Sequence, residues 1–210
     1  MRRDNWPQIG LVVASALLLA VSFVGMPYPR DQPLHHVPTV LGLFALVWCA
    51  RHGLLSNASM LAINAFIWLH ILGARYIYSF VPYDDWCSRW LGCSLSEMLG
   101  SERNHYDRLV HFAYGALATI PQVEVLTRRL RLSTFVAHLF SFALVLAAGA
   151  TYEIFEWLLA IVMAPEWAER YNGQQGDVWD AQKDMALAAA GAVTSSLCML
   201  AKSSIEKRNP

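Results

Sequence analysis

The chain has 210 residues and a formal charge of zero, sixteen basic against sixteen acidic, with 56% apolar and only 15% charged positions. Soluble domains run at about 45–50% apolar and about 25% charged, so this is the composition of a membrane protein. A neutral chain has no basic field to hold a nucleic-acid backbone, and six spans of about 20 residues would leave about 90 positions, too few for a sizeable water-soluble domain beside them.

Ile9 to Met26 is 18 residues without a charge, and Ser22-Phe23-Val24-Gly25-Met26 lacks a clear small-x-small cleavage site. It therefore reads as an uncleaved start-transfer helix rather than a signal peptide, despite Arg2 and Arg3 before it. Further apolar runs cover about 34–50, 60–80, 107–126, 135–163 and 184–201, the fifth long enough to tilt, kink or protrude. Pro27, Pro29 and Pro33 break the chain after the first run, and Asn172-Gly173 with Gly176 marks a turn before the last. No repeat is visible, so the expectation is one all-α polytopic domain over 1–210, a bundle of six transmembrane helices.

Orientation follows from the basic residues. With a cytoplasmic N-terminus, the inner segments hold Arg2, Arg3, Arg51, Arg128, Arg129, Arg131, Lys202, Lys207 and Arg208, nine of the sixteen. Both termini are then expected in the cytoplasm. Of the acids only Asp4, Glu124 and Glu206 fall inside; the other thirteen lie toward the outer face. Cys49 and Cys198 sit in apolar runs as inert small hydrophobes, while Cys87 and Cys93 share the long outer loop as a local disulfide or as two free thiols.

Three polar motifs interrupt the later helices. In Tyr106-Asp107-Arg108-x-x-His111-x-x-Tyr114, Asp107, His111 and Tyr114 stand at i, i+4 and i+7, one face of a helix. The fifth run carries Glu153 and Glu156 at i and i+3. The sixth is preceded by Asp177, Asp180 and Asp184, which share a face if the helix begins there. A charged side chain near a helix centre costs about 2.5–3.5 kcal/mol on insertion scales, so a pair on the fifth helix calls for a reason.

The topology sends all three motifs to the outer part of the bundle, with Arg75 of the third helix nearby. Six carboxylates against Arg75, Arg108 and Lys183 leave three formal negative charges, which a divalent cation, protonation or a cationic substrate would offset. Carboxylates with one imidazole suit magnesium, manganese or calcium before zinc. The bland alternative is a set of interhelical ion pairs with no ligand at all.

His70 reads as a hydrogen-bonded bundle residue. His35, His36 and His52 fall in loops and His138 near the inner end of the fifth helix, where water or headgroups would meet them. Trp86, Trp90, Trp157, Trp167 and Trp179 gather near the outer boundary as interfacial anchors. Small residues, Ala147 to Ala150, Ala188 to Ala192 and Gly115, draw the fourth, fifth and sixth helices together.

Asp107-Arg108-x-x-His111-Phe112, Glu153-x-x-Glu156-Trp157 and Gly176-Asp177-x-x-Asp180-x-x-x-Asp184 with Gly191, in that order, resemble the YjdF-like bacterial inner-membrane proteins over nearly the whole chain. The order is more distantly similar to VanZ-like proteins, with Arg108 in place of a Lys, Glu156 of a Gln and Asp184 of an Asn. The likeness implies a multi-pass inner-membrane location and architecture rather than an activity.

Three functions remain open from the sequence. In the first, a metal-assisted enzyme works on a lipid or polyprenyl headgroup: Asp107, His111, Glu153 and Glu156 would be catalytic, Asp177, Asp180 and Asp184 metal ligands together with Asp107 and Glu153, and Arg75, Arg108 and Tyr114 substrate contacts. The second is a small cation- or proton-coupled transporter, and the third a non-catalytic envelope accessory protein. The membrane lipid is the expected partner; no protein partner can be read.

Overall fold

The computed structural model describes residues 5–208; Arg2, Arg3 and Asp4, counted above for orientation, lie outside the described residues. Helices account for the regular structure: α1 (Trp6–Ser22), α2 (Gln32–His35), α3 (Val37–His52), α4 (Asn57–Arg75), α5 (Tyr83–Leu91), α6 (Leu95–Leu99), α7 (Tyr106–Arg128), α8 (Thr134–Val162), α9 (Pro165–Asn172) and α10 (Asp180–Arg208). Among the described residues five segments are long and apolar enough to cross a membrane, Gln32–His52 taken as one, and α1 is a shorter apolar helix of 17 residues. Large apolar side chains such as Leu17, Phe44, Leu109, Ile161 and Leu197 point outward, as lipid contact requires.

Several elements start or stop away from their expected positions, each for a local reason. The first helix ends at Ser22, because Gly25 turns left-handed (φ 58) ahead of Pro27. The third apolar helix ends at Arg75, because Ile77 and Tyr78 take left-handed backbone (φ 43 and 56), strained for a β-branched and a bulky residue. The last helix starts at Asp180 and runs to Arg208. Asp177 therefore sits in the turn before it, and only Asp180 and Asp184 share its face.

Polar side chains stitch the first half of the bundle together. Ser15 donates to Asn64 Oδ1 at 2.6 Å and accepts from Trp68 Nε1 at 2.8 Å, in the middle of an apolar cluster built from Val12, Leu46, Met60 and Ile67. At one end, Glu124 of α7 accepts the Ser56 N–H (2.9 Å), the Ser56 hydroxyl (2.6 Å), the Ser59 hydroxyl and Arg128 (2.9 Å), which ties it to the N-terminus of α4. Arg129 reaches the Gly53 and Leu54 carbonyls at this same end. It is the basic end of the molecule.

The second half is closed by glycine. A Cβ on Gly115 of α7 would lie 1.8 Å from the Ala188 carbonyl oxygen, and one on Gly191 of α10 would lie 2.1 Å from the Phe112 carbonyl oxygen. The two backbones are in contact, which only residues without a side chain permit. The α7–α10 seam brings the face bearing Asp107 and His111 against the one bearing Asp184. At this acidic end Arg103 donates to Asp180 Oδ1 (2.5 Å) and to the Gly173 and Gln174 carbonyls, holding the turn before α10 in place.

Candidate functional site

Asp107 and His111 stand one turn apart on α7, Nε2 to Oδ1 3.7 Å, with side chains 13% and 14% exposed. Asp184 reaches them from α10, 2% exposed. One ligand atom from each lies within 4.8 Å of the others, a spacing able to hold one metal ion. Asp184 Oδ1 is buried with no hydrogen-bond partner, and so is Glu153 Oε1 on the facing stretch of α8. Partnerless carboxylate oxygens are costly, and a cation between them would remove that cost.

Asp107 and His111 also form part of the wall of a cavity of about 270 Å³. Its other walls come from α2 (His35), α3 (Pro38), α4 (Phe66, His70), the strained turn (Tyr78), α8 (Tyr152, Glu156) and α9 (Tyr171, Asn172). The turn seats Tyr78 under Gly73, where a Cβ would come within 2.8 Å of the phenol ring, and burial pushes that phenol well above its ordinary pKa. His70 Nε2 lies 3.0 Å from the His35 carbonyl oxygen, which can only accept, so Nε2 carries the proton and Nδ1 accepts the Tyr78 hydroxyl. His70 is thus the hydrogen-bonded bundle residue expected of it.

The acids divide into two groups. Asp107 and Asp184 converge with His111, and Glu153 and Glu156 follow on α8, with Glu156 and Tyr114 in the cavity wall. Asp177 and Asp180 are instead taken up by cations: Asp177 accepts from Arg108 (2.5 Å), Lys183 (2.6 Å) and the Trp179 N–H (3.1 Å), and Asp180 pairs with Arg103. The Lys183 hydrogen bond first, then the Trp179 N–H, hold the Asp177 carboxyl down to about 2. These two read as the frame of the mouth.

Two expectations need correction. Arg75 faces away from the site: its guanidinium donates to the carbonyls of Ser22 (2.5 Å), Val24 (2.9 Å) and Gly25 (3.3 Å), and so caps the C-terminus of α1. His35, His36 and His138, expected to meet water or headgroups, are instead 2%, 2% and 8% exposed, with His138 bonded to Ser196 at 2.9 Å. Besides Arg108, the arginine beside the acids is Arg103, which a loop position gave no reason to single out. Cys87 and Cys93 stand as free thiols.

The family described as Predicted membrane protein (DUF2238) matches residues 8–204. The chain belongs to this family. It is similar to Inner membrane protein YjdF of Escherichia coli (strain K12), 37% identical over 135 residues, which make up 61% of this chain and 60% of that protein. The aligned stretch is thus less than two thirds of either. No solved structure matches. The chain is a multi-pass protein of the inner membrane, and every residue of the cavity falls inside the stretch that the family covers.

Proposed function

We propose that Asp107, His111 and Asp184 hold a divalent cation at the edge of the cavity, and that the protein is a metal-dependent enzyme acting on the polar head of a membrane amphiphile. The observation that carries this reading is the convergence of the three donors from two helices locked by Gly115 and Gly191, with Asp184 Oδ1 left partnerless. Two carboxylates and an imidazole suit manganese or magnesium, with calcium next and zinc after it. Such an ion polarises a phosphoryl or carbonyl oxygen and makes bound water acidic. Glu153, which keeps a bare buried oxygen on α8, would take the proton from such a water.

The cavity lies toward the acidic end, with Asp107 and Glu156 in its wall. With Arg51, Arg128, Arg129 and Lys202 gathered at the other end, the positive-inside rule directs the cavity to the outer leaflet and both termini to the cytoplasm.

Equilibrium dialysis against manganese, followed by elemental analysis of the purified protein, tests the metal. One ion per chain is expected, lost in Asp184→Asn and in His111→Ala. No ion, or an ion retained in both variants, overturns the reading.

A further inference from the structure

Aromatic side chains along the cavity touch in series, with Phe155, outside the lining, bridging Tyr171 and Tyr152. His35 stacks on Tyr171 with centroids 4.4 Å apart, Tyr171 meets Phe155 at 6.3 Å, Phe155 meets Tyr152 at 6.3 Å, and Tyr152 meets His111 at 6.4 Å. In the other direction His35 meets Tyr78 at 5.8 Å, and Tyr78 meets His70 at 5.9 Å. The one carboxylate in this wall besides Asp107 is Glu156. Among the described residues the lining holds no lysine or arginine. An anion would find no countercharge here except at the proposed metal, whereas ring faces and a carboxylate attract a cation.

Hydrogen-bonding capacity sharpens the reading. His35 Nδ1 lies 3.2 Å from the Asp31 carbonyl oxygen, which can only accept, so Nδ1 carries the proton and Nε2 is a bare acceptor. His35 Nε2 is buried without a well-formed hydrogen bond, in a residue 2% exposed whose ring also lies near the Tyr171 backbone. Asn172 Oδ1 is likewise a buried, partnerless acceptor, in a residue 7% exposed. Both residues line the cavity together with Glu156. Three acceptors in an aromatic enclosure match the three N–H donors of a primary ammonium group; a quaternary ammonium has none to offer.

We propose that the cavity recognises a phosphoethanolamine group, its ammonium held by Glu156, His35 and Asn172 within the aromatic wall and its phosphate turned toward the cation of Asp107, His111 and Asp184. This rests on the metal reading above and names its substrate class. The apolar part of the lining, Pro38, Phe66, Val110 and Ala148, belongs to α3, α4, α7 and α8, and α3 packs on α1 and α4 while α8 packs on α7, α9 and α10. The space between α3 and α8 is therefore the path for an acyl chain, which makes an aminophospholipid the favoured source of the group.

The test is calorimetric titration of the detergent-purified, manganese-loaded protein with dihexanoyl phosphatidylethanolamine, phosphatidylcholine and phosphatidylglycerol, and with free phosphoethanolamine. The ethanolamine lipid is expected to bind at least about tenfold more tightly than the other two, a difference of ~1.4 kcal/mol. That preference should vanish in Glu156→Gln and in His35→Phe while manganese content stays unchanged. Free phosphoethanolamine binding as tightly as the lipid would keep the recognition and make its source soluble; weaker binding assigns the lipid. Equal affinity for the three lipids in the wild-type chain, or no binding of any, overturns the proposal whether or not the variants fold. Loss of manganese binding with the ethanolamine preference intact would sink the metal reading alone.

Discussion

Residue positions carry the chemistry through what each oxygen and nitrogen is left holding. Asp177 and Asp184 are both acids of the same motif, yet one is satisfied three times over and the other keeps a bare buried oxygen. Asp177 is frame, and its folded-state pKa lies near 2, below the ordinary 3.8. A depressed carboxylate stabilises the fold fully above its ordinary value and loses that contribution as pH falls through the folded one. Thermal unfolding in detergent should show a fall in midpoint between about pH 4 and about pH 2 that is smaller in Asp177→Asn. An identical fall in the variant would show that Asp177 does not contribute.

At this scale the sequence was readable where partners are local. Asp107 and His111, one turn apart, were legible as a shared face. Arg75 was misread, because its carbonyl partners belong to the end of α1, more than fifty positions away, and nothing in the local pattern points to them. Arg103 was missed for the same reason, and so was the aromatic wall, whose rings come from α2, α4, the turn after it, α7, α8 and α9.

Elements set the site's dimensions. The long apolar runs were legible as helices from length and hydropathy, and the small residues that join the last ones were visible as a stripe. The short helices α2, α5, α6 and α9 were not, since segments of 4, 9, 5 and 8 residues are too short for periodicity to stand out. The start of α10 depended on which residue the preceding turn occupies, so the register of Asp177 came out differently. What the stripe could not reveal is that two of its glycines touch opposite backbones. Gly191→Ala must push α10 off α7, and overpacking of this kind costs about 1–3 kcal/mol. A lower unfolding midpoint together with loss of the bound ion is expected, while Gly42→Ala, with nothing within 4 Å of its Cβ, should change neither. Full metal occupancy in Gly191→Ala would show that the seam does not set the site.

The whole molecule is polarised. Its basic end is closed by Glu124, Ser56 and Arg129, and its acidic end carries the cavity. In a chain whose four native cysteines are replaced by serine, a membrane-impermeant maleimide applied to intact spheroplasts should label Leu99→Cys, at a position 56% exposed at the end of α6, and leave Ser204→Cys untouched. The reverse pattern would put the cavity in the cytoplasmic leaflet. Charge counting over the loops yields this orientation as an expectation, whereas the cavity itself appears only once six helices and a turn are brought together.

The most direct measurement is an anomalous difference map at the manganese edge from crystals grown with manganese. The account predicts a single peak within about 2.6 Å of an Asp107 oxygen, a His111 ring nitrogen and an Asp184 oxygen. A map with no peak there, or with one only at Asp177 and Asp180, would contradict it.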